Sequence, residues 1–218
     1  KEDGCRVACE KRISTVSLGI NMIKPENTTF SVPRFLSFID LAYLYEAAKA
    51  ADEQFSSKVS SLTDDEARNK TGNINATRQS LLRAVFISSY AILEQNLDEL
   101  MLMEQEKCEA KLSPNDLKHR GINRSIVYAN KVLGMSIDTN KKHWKELQNL
   151  QEVRNHLTHY GPEFSSSPEH QKRFEKFSNS KYVTLRPVIC FTIEQIENVI
   201  NLYMDCIKDF SGDERKNA

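Results

Sequence analysis

Eight consecutive residues, RNHLTHYG from Arg154 to Gly161, collect the side chains best suited to chemistry. An arginine followed five positions later by a histidine can serve a metal-free cut of a phosphodiester. Ribonucleotide cleavage needs help removing the proton from a 2′-oxygen, charge stabilisation on five-coordinate phosphorus, and a proton for the departing 5′-oxygen. A neutral histidine is a base and a protonated one an acid near neutral pH. Arginine binds phosphoryl oxygens through charged, often paired hydrogen bonds. Arg154, Asn155, His156 and His159 supply that inventory, with asparagine able to orient a histidine or a phosphate oxygen.

On a helix of 3.6 residues per turn, Asn155 and His159 stack on one face, with Glu152, His156 and His159 on roughly one side. Arg154 is offset but long, and Val153 and Leu157 turn to the core. His156 is open between an RNA contact, tuning of His159 and a surface role. Glu152 is a candidate partner for Arg154 or His156. Tyr160 fits either stacking on a base or packing beside Pro162. Lys141, Lys142 and Lys145, at the start of the same helix, are candidate RNA contacts. They belong to a basic window from Lys107 to Lys145 that holds nine lysines and arginines against Glu109, Asp116 and Asp138. His119 and His143 add further candidate groups there. The carboxyl end of a helix repels anions. Arg154 must offset that, and a two-fold dimer would bring a second arginine to the same phosphate.

Metal chemistry has little support. His156 and His159 do not form HExxH, no second ligand cluster accompanies them, and no glycine-rich phosphate loop ends in lysine. No metal and no cofactor is expected.

The elements that would carry these residues are helical. Leu41, Leu44, Tyr45, Ala48 and Phe55 predict a helix over about 38–60. The polar stretch 60–77, with Gly72 inside it, reads as a loop with some helix around Asp64–Asn69. Leu82, Val85, Phe86, Ser89, Leu93, Leu97 and Leu100 predict a long central helix over about 77–107. Ser113-Pro114 signals a helix start reaching to Leu133, with Gly121 as a break point. The motif helix runs from Lys141 to Tyr160, capped by Thr139 or Asn140, with Trp144, Leu147, Leu150, Val153 and Leu157 buried. Gly161-Pro162 ends it. A short helix over 169–177 and a hairpin within 182–191, turning near Pro187, come next. Thr192 and Gln195 form a capping box for a last helix to about Phe210. The domain organisation read from this is an N-terminal extension over 1–37, with a strand or helix end at Ile13–Leu18, a helical domain over 38–211 and a flexible tail over 212–218.

The chain has 218 residues, enough for one sizeable core. Its 30 basic and 30 acidic residues argue against a protein that coats polyanions, though not against a local patch. Cys5, Cys9, Cys108, Cys190 and Cys206 make no metal knuckle and no expected disulfide framework. With no membrane span and no signal peptide in view, the expectation is a cytoplasmic protein with no membrane partner.

RNHLTH matches the arginine–four residues–histidine signature of HEPN domains, in the version with asparagine after the arginine, and SLLRAVFISSYAILEQNLDEL also looks like the long helix of that superfamily. The chain therefore resembles HEPN proteins over about Phe38–Phe210. The resemblance implies an all-α HEPN-like bundle, here with a small β-hairpin insertion, that dimerises through its motif helices. It also implies a metal-independent endoribonuclease with Arg154 and His159 as principal catalytic residues supported by Asn155. RNA would be the substrate, and a toxin–antitoxin or antiviral-defence system would supply any protein partner. In the branch paired with a nucleotidyltransferase antitoxin, one residue separates histidine from tyrosine. Here Tyr160 follows His159 directly. Some HEPN proteins bind RNA or act as scaffolds without cutting, which is the alternative reading.

Overall fold

A computed structural model describes residues 32–210. Within them the chain is an all-α bundle of six helices with one small antiparallel hairpin: α1 (Val32–Ser60), α2 (Asp64–Cys108), α3 (Gly121–Lys131), α4 (Lys142–Tyr160), α5 (Pro168–Ser178), β1 (Thr184–Arg186), β2 (Val188–Cys190) and α6 (Ile193–Asp209). Ile13–Leu18 and the 212–218 tail lie outside the described residues.

The bundle is organised on α2. Its 45 residues span about 67 Å, and α1, α3, α4, α6 and β2 all pack against it. Leu82, Val85, Phe86, Tyr90, Leu93, Leu97, Leu100 and Met101 are buried on it at three- and four-residue spacing. Opposite them lie Leu41 and Tyr45 of α1, the α4 stripe of Trp144, Leu147, Leu150, Val153 and Leu157, and Ile196, Ile200, Tyr203 and Ile207 of α6. That α4 stripe is the one the periodicity predicts.

Three boundaries differ most from the sequence reading, each for a local reason, and the N-cap of α4 is Lys141 rather than Thr139 or Asn140. First, α1 begins at Val32, because a proline in a first turn gives up an N–H that has no intrahelical partner anyway. Second, the expected 60–77 loop shrinks to a turn. Asp64, Asp65 and Glu66 favour the helix start. Glu66 Oε2 accepts from the Thr63 N–H at 3.3 Å and from its Oγ1 at 3.1 Å. Gly72 costs the helix only about 1 kcal/mol, and buried Ile74 helps hold it. Third, Ser113-Pro114 starts only a single 3-10 turn, Pro114–Asp116, and α3 begins afresh at Gly121, whose φ is +56°.

The hairpin turns at Pro187 and pairs Thr184 with Cys190, Leu185 with Ile189 and Arg186 with Val188. It is fastened to α2: Gln79 exchanges hydrogen bonds with the Phe191 backbone at 3.0 and 2.9 Å, and Arg83 donates to the Ile189 carbonyl at 3.1 Å. The predicted Thr192–Gln195 capping box opens α6. No helix among the described residues is long and apolar enough to cross a membrane.

Candidate functional site

The apolar stripe of α4 fixes its rotation, and that rotation decides which motif residues reach solvent. With Leu150, Val153 and Leu157 inward, Arg154 and Asn155 fall at the edge of the packed face, and Thr158, His159 and Tyr160 face outward. Arg154 lies across α2. Its Nη2 donates to Glu94 Oε2 at 2.6 Å, its Nη1 donates to Asn155 Oδ1 at 2.9 Å, and its Cζ lies 4.7 Å from the centre of the Tyr90 ring. Burial, then the nearby Glu94, raises the Tyr90 phenol well above its ordinary range, so the ring under the guanidinium stays neutral. About a quarter of the Arg154 side chain stays exposed. Two of its five N–H donors are engaged among the described residues. Asn155 therefore meets Arg154, and its amide oxygen is directed there.

His159 sits little more than one turn further on. It is exposed, and its imidazole has no hydrogen-bond partner among the described residues; its nearest ring is Tyr160, with centroids 6.4 Å apart. No direct contact joins Arg154 to His159. They are neighbours on one helix end, with Arg154 fixed and His159 free.

His156 departs from the sequence reading. It does not share an outward side with Glu152 and His159. It is fully buried, stacked on Phe164 at 4.5 Å and edged by His170 and Phe177. Its Nε2–H donates to the Glu163 carbonyl at 3.0 Å. A carbonyl only accepts, so Nε2 carries the proton, and Nδ1 is left buried without a partner. Burial pushes the imidazole below its ordinary 6.5, neighbouring His170 and Arg173 add to this, and the Glu163 bond opposes it. A side chain with no exposed surface makes no RNA contact, so that expectation for His156 does not hold. What it does is fasten the connector after α4, which is also tied by Ile189 N–H donating to the Pro162 carbonyl at 2.9 Å. Gly161, at φ +77°, allows the chain to turn there. Glu152 meets neither Arg154 nor His156 but pairs with Lys176 at 2.6 Å.

Tyr160 is half exposed. Its ring is edged by His170 at 4.9 Å and faced by the Arg173 guanidinium at 4.8 Å. The lysines lie elsewhere. Along α4, Lys142 is about 26 Å and Lys145 about 21 Å from His159. They cannot hold the phosphate that Arg154 and His159 would share. Lys141 Nζ donates to Asp209 Oδ1 at 3.0 Å, and Lys142 Nζ is 3.9 Å from Glu146. Lys145 is exposed.

Sequence reasoning missed Glu94, Tyr90, His170 and Arg173. For Glu94 a signal exists: a carboxylate four residues after a buried tyrosine, at the edge of an otherwise apolar stripe. His170 and Arg173 carried no such pattern, because only the folding back of α5 brings them to Tyr160. Among the described residues, no group of three or more histidine, cysteine, aspartate or glutamate side chains could hold a metal ion. Comparison with protein-family models, curated proteins and solved structures gives no match for this chain.

Proposed function

We propose that the chain is a metal-independent endoribonuclease of HEPN type that works as a homodimer, its activity serving a toxin or antiviral-defence role. The observation that supports this best is the contrast between Arg154 and His159. Arg154 is held on three sides, and His159 is exposed, with no hydrogen-bond partner among the described residues, about one turn away. A phosphate bound by fixed donors and a mobile proton carrier beside it are what transesterification requires.

In the proposed reaction the 2′-oxygen attacks phosphorus and the bond from phosphorus to the 5′-oxygen breaks. The products are a 2′,3′-cyclic phosphate and a 5′-hydroxyl. Arg154 stabilises charge on the equatorial oxygens. A neutral His159 takes the 2′-hydroxyl proton, and a protonated His159 supplies one to the 5′-oxygen. Two copies of the chain around one phosphate provide both forms at once. They also provide a second arginine, which matters because Glu94 balances the charge of the first. Asn155 keeps the guanidinium in register, and Tyr160 offers a ring for a flanking base.

The Glu94–Arg154 ion pair also favours a second reading: Arg154 locks α2 to α4, and the chain is an inactive RNA-binding or protein-interaction module on the same scaffold. Incubation of several RNA classes with the purified chain in a chelator separates the two. The nuclease reading expects products with cyclic phosphate ends, lost in His159→Ala and Arg154→Ala while both variants remain folded. A folded chain that binds RNA and cuts none decides for the module.

A further inference from the structure

The start of α3 reaches the same corner of the bundle. A Cβ added to Gly121 would lie 2.5 Å from Glu94 Oε1, while the other oxygen of that carboxylate is 2.6 Å from Arg154 Nη2. One carboxylate is therefore all that separates the first residue of α3 from the guanidinium. The residues just before Gly121 are Lys118, His119 and Arg120. With successive Cα atoms 3.8 Å apart, the His119 and Arg120 backbones lie within about 8 Å of Gly121. All three side chains are exposed, and none makes an ion pair or hydrogen bond among the described residues.

Other cations on these elements have carboxylate partners. Arg124 pairs with Asp98 and Lys107 with Glu104. Asp116, the closest acid in sequence, turns its Oδ2 back to the Ser113 N–H at 2.8 Å. The first turn of α3 has no acidic residue and no side-chain cap. Lys118 and Arg120 are thus cations with no ion pair among the described residues, on a short segment whose far end abuts the Arg154 pair.

We infer that Lys118–Arg120 is a backbone-binding segment for single-stranded RNA, holding phosphates next to the one at Arg154. For its ligand this rests on the ribonuclease reading, though not on cleavage. It places the strand path toward α3 and away from Lys142 and Lys145, with Gly121, already favoured by its positive φ, at the point where a Cβ would make the Glu94 carboxylate shift.

The test is anisotropy of a fluorescein-labelled, unstructured RNA oligonucleotide across a salt series, in a His159→Ala background so that the probe survives. For single strands the slope of log affinity against log salt is about −0.7 per phosphate contact. Lys118→Ala/Arg120→Ala should flatten that slope by about 1.4 and weaken binding at low salt. Lys131→Ala/Lys145→Ala removes the same charge remotely and should leave the slope unchanged. The inference is overturned if the first pair leaves the slope unaltered, if the second flattens it equally, or if the parent chain binds no RNA. Cleavage by the unsubstituted chain is read separately. A flattened slope without cleavage sinks only the nuclease reading, and cleavage with an unaltered slope sinks only this one.

Discussion

At the amino end of α4, Lys141, His143 and Trp144 all direct donors at Asp209, with distances of 3.0, 2.7 and 2.8 Å. At the carboxyl end, Arg154 is held by Glu94 and Asn155, but His159 has no hydrogen-bond partner among the described residues. Both ends therefore carry a histidine and a cation paired with a carboxylate, and only the carboxyl end leaves its histidine without a partner among the described residues. The amino end is a lock: burial alone would raise Asp209, but the bonds from Lys141, Trp144 and His143 outweigh it and hold the carboxyl below its ordinary 3.8. The carboxyl end is half lock and half open site. Residue type does not separate the two; the partner supplied by a distant element does.

The largest expected break in this contrast is kinetic. His159→Ala should slow RNA cleavage by about 10²- to 10⁴-fold, the usual worth of a proton-transfer group, with stability within about 0.5 kcal/mol. His143→Ala should do the reverse, lowering the melting temperature and sparing the cleavage rate. A rate loss on both would show that the two ends are not distinct.

Next in size, Asp209→Asn weakens three donors' bonds at once. It should cost about 1.5–3 kcal/mol in chemical denaturation, as for hydrogen bonds to a charged group. Because the folded-state carboxyl is held low, this contribution is present above pH 3.8 and disappears as pH falls through the folded value. The acid limb of stability should therefore flatten in the variant.

Gly121→Ala should cost about 1–2 kcal/mol for the left-handed backbone and should also disturb Arg154 through Glu94. Gly121→Asn sharpens the point, since asparagine tolerates that backbone better but still carries a Cβ. If it restores stability and leaves cleavage impaired, the close approach to Glu94 is what matters.

A smaller effect is expected from pH through His156. Its folded pKa lies below 6.5, so the folded state binds fewer protons than the unfolded chain. Stability should be full above about pH 6.5 and fall as pH drops from there toward the folded value. Melting temperatures across that window should depend on pH less steeply in His156→Phe. The smallest effect is Lys142→Ala, within about 0.5 kcal/mol and without consequence for cleavage.

Much of the scaffold could be read along the chain. The α4 stripe, the Gly161-Pro162 stop, the hairpin around Pro187 and the Thr192–Gln195 cap are local signals, set by spacing and backbone chemistry over a few residues. The start of α2 was misread although Thr63 and Glu66 carry its signature, because Gly72 and a polar run weighed more than the cap. Arg154, Asn155 and His159 could be chosen as candidates by chemistry and spacing. His156 was misplaced because α4 is buried over a wider arc than its five apolar residues mark, and α5 closes over that arc.

The sequence by itself determined which helices form, where most of them stop, and that Arg154 and His159 share one helix end, since each depends on neighbours within a few turns. Only the tertiary structure decided that Glu94 holds Arg154, that Asp209 occupies His143, that His156 is interior and that Gly121 abuts Glu94. Those facts join residues 14–66 positions apart, counting from His156 and His170 to His143 and Asp209. No spacing rule reaches that far: burial of the α2 stripe sets the helix rotations, and the rotations set which charges meet.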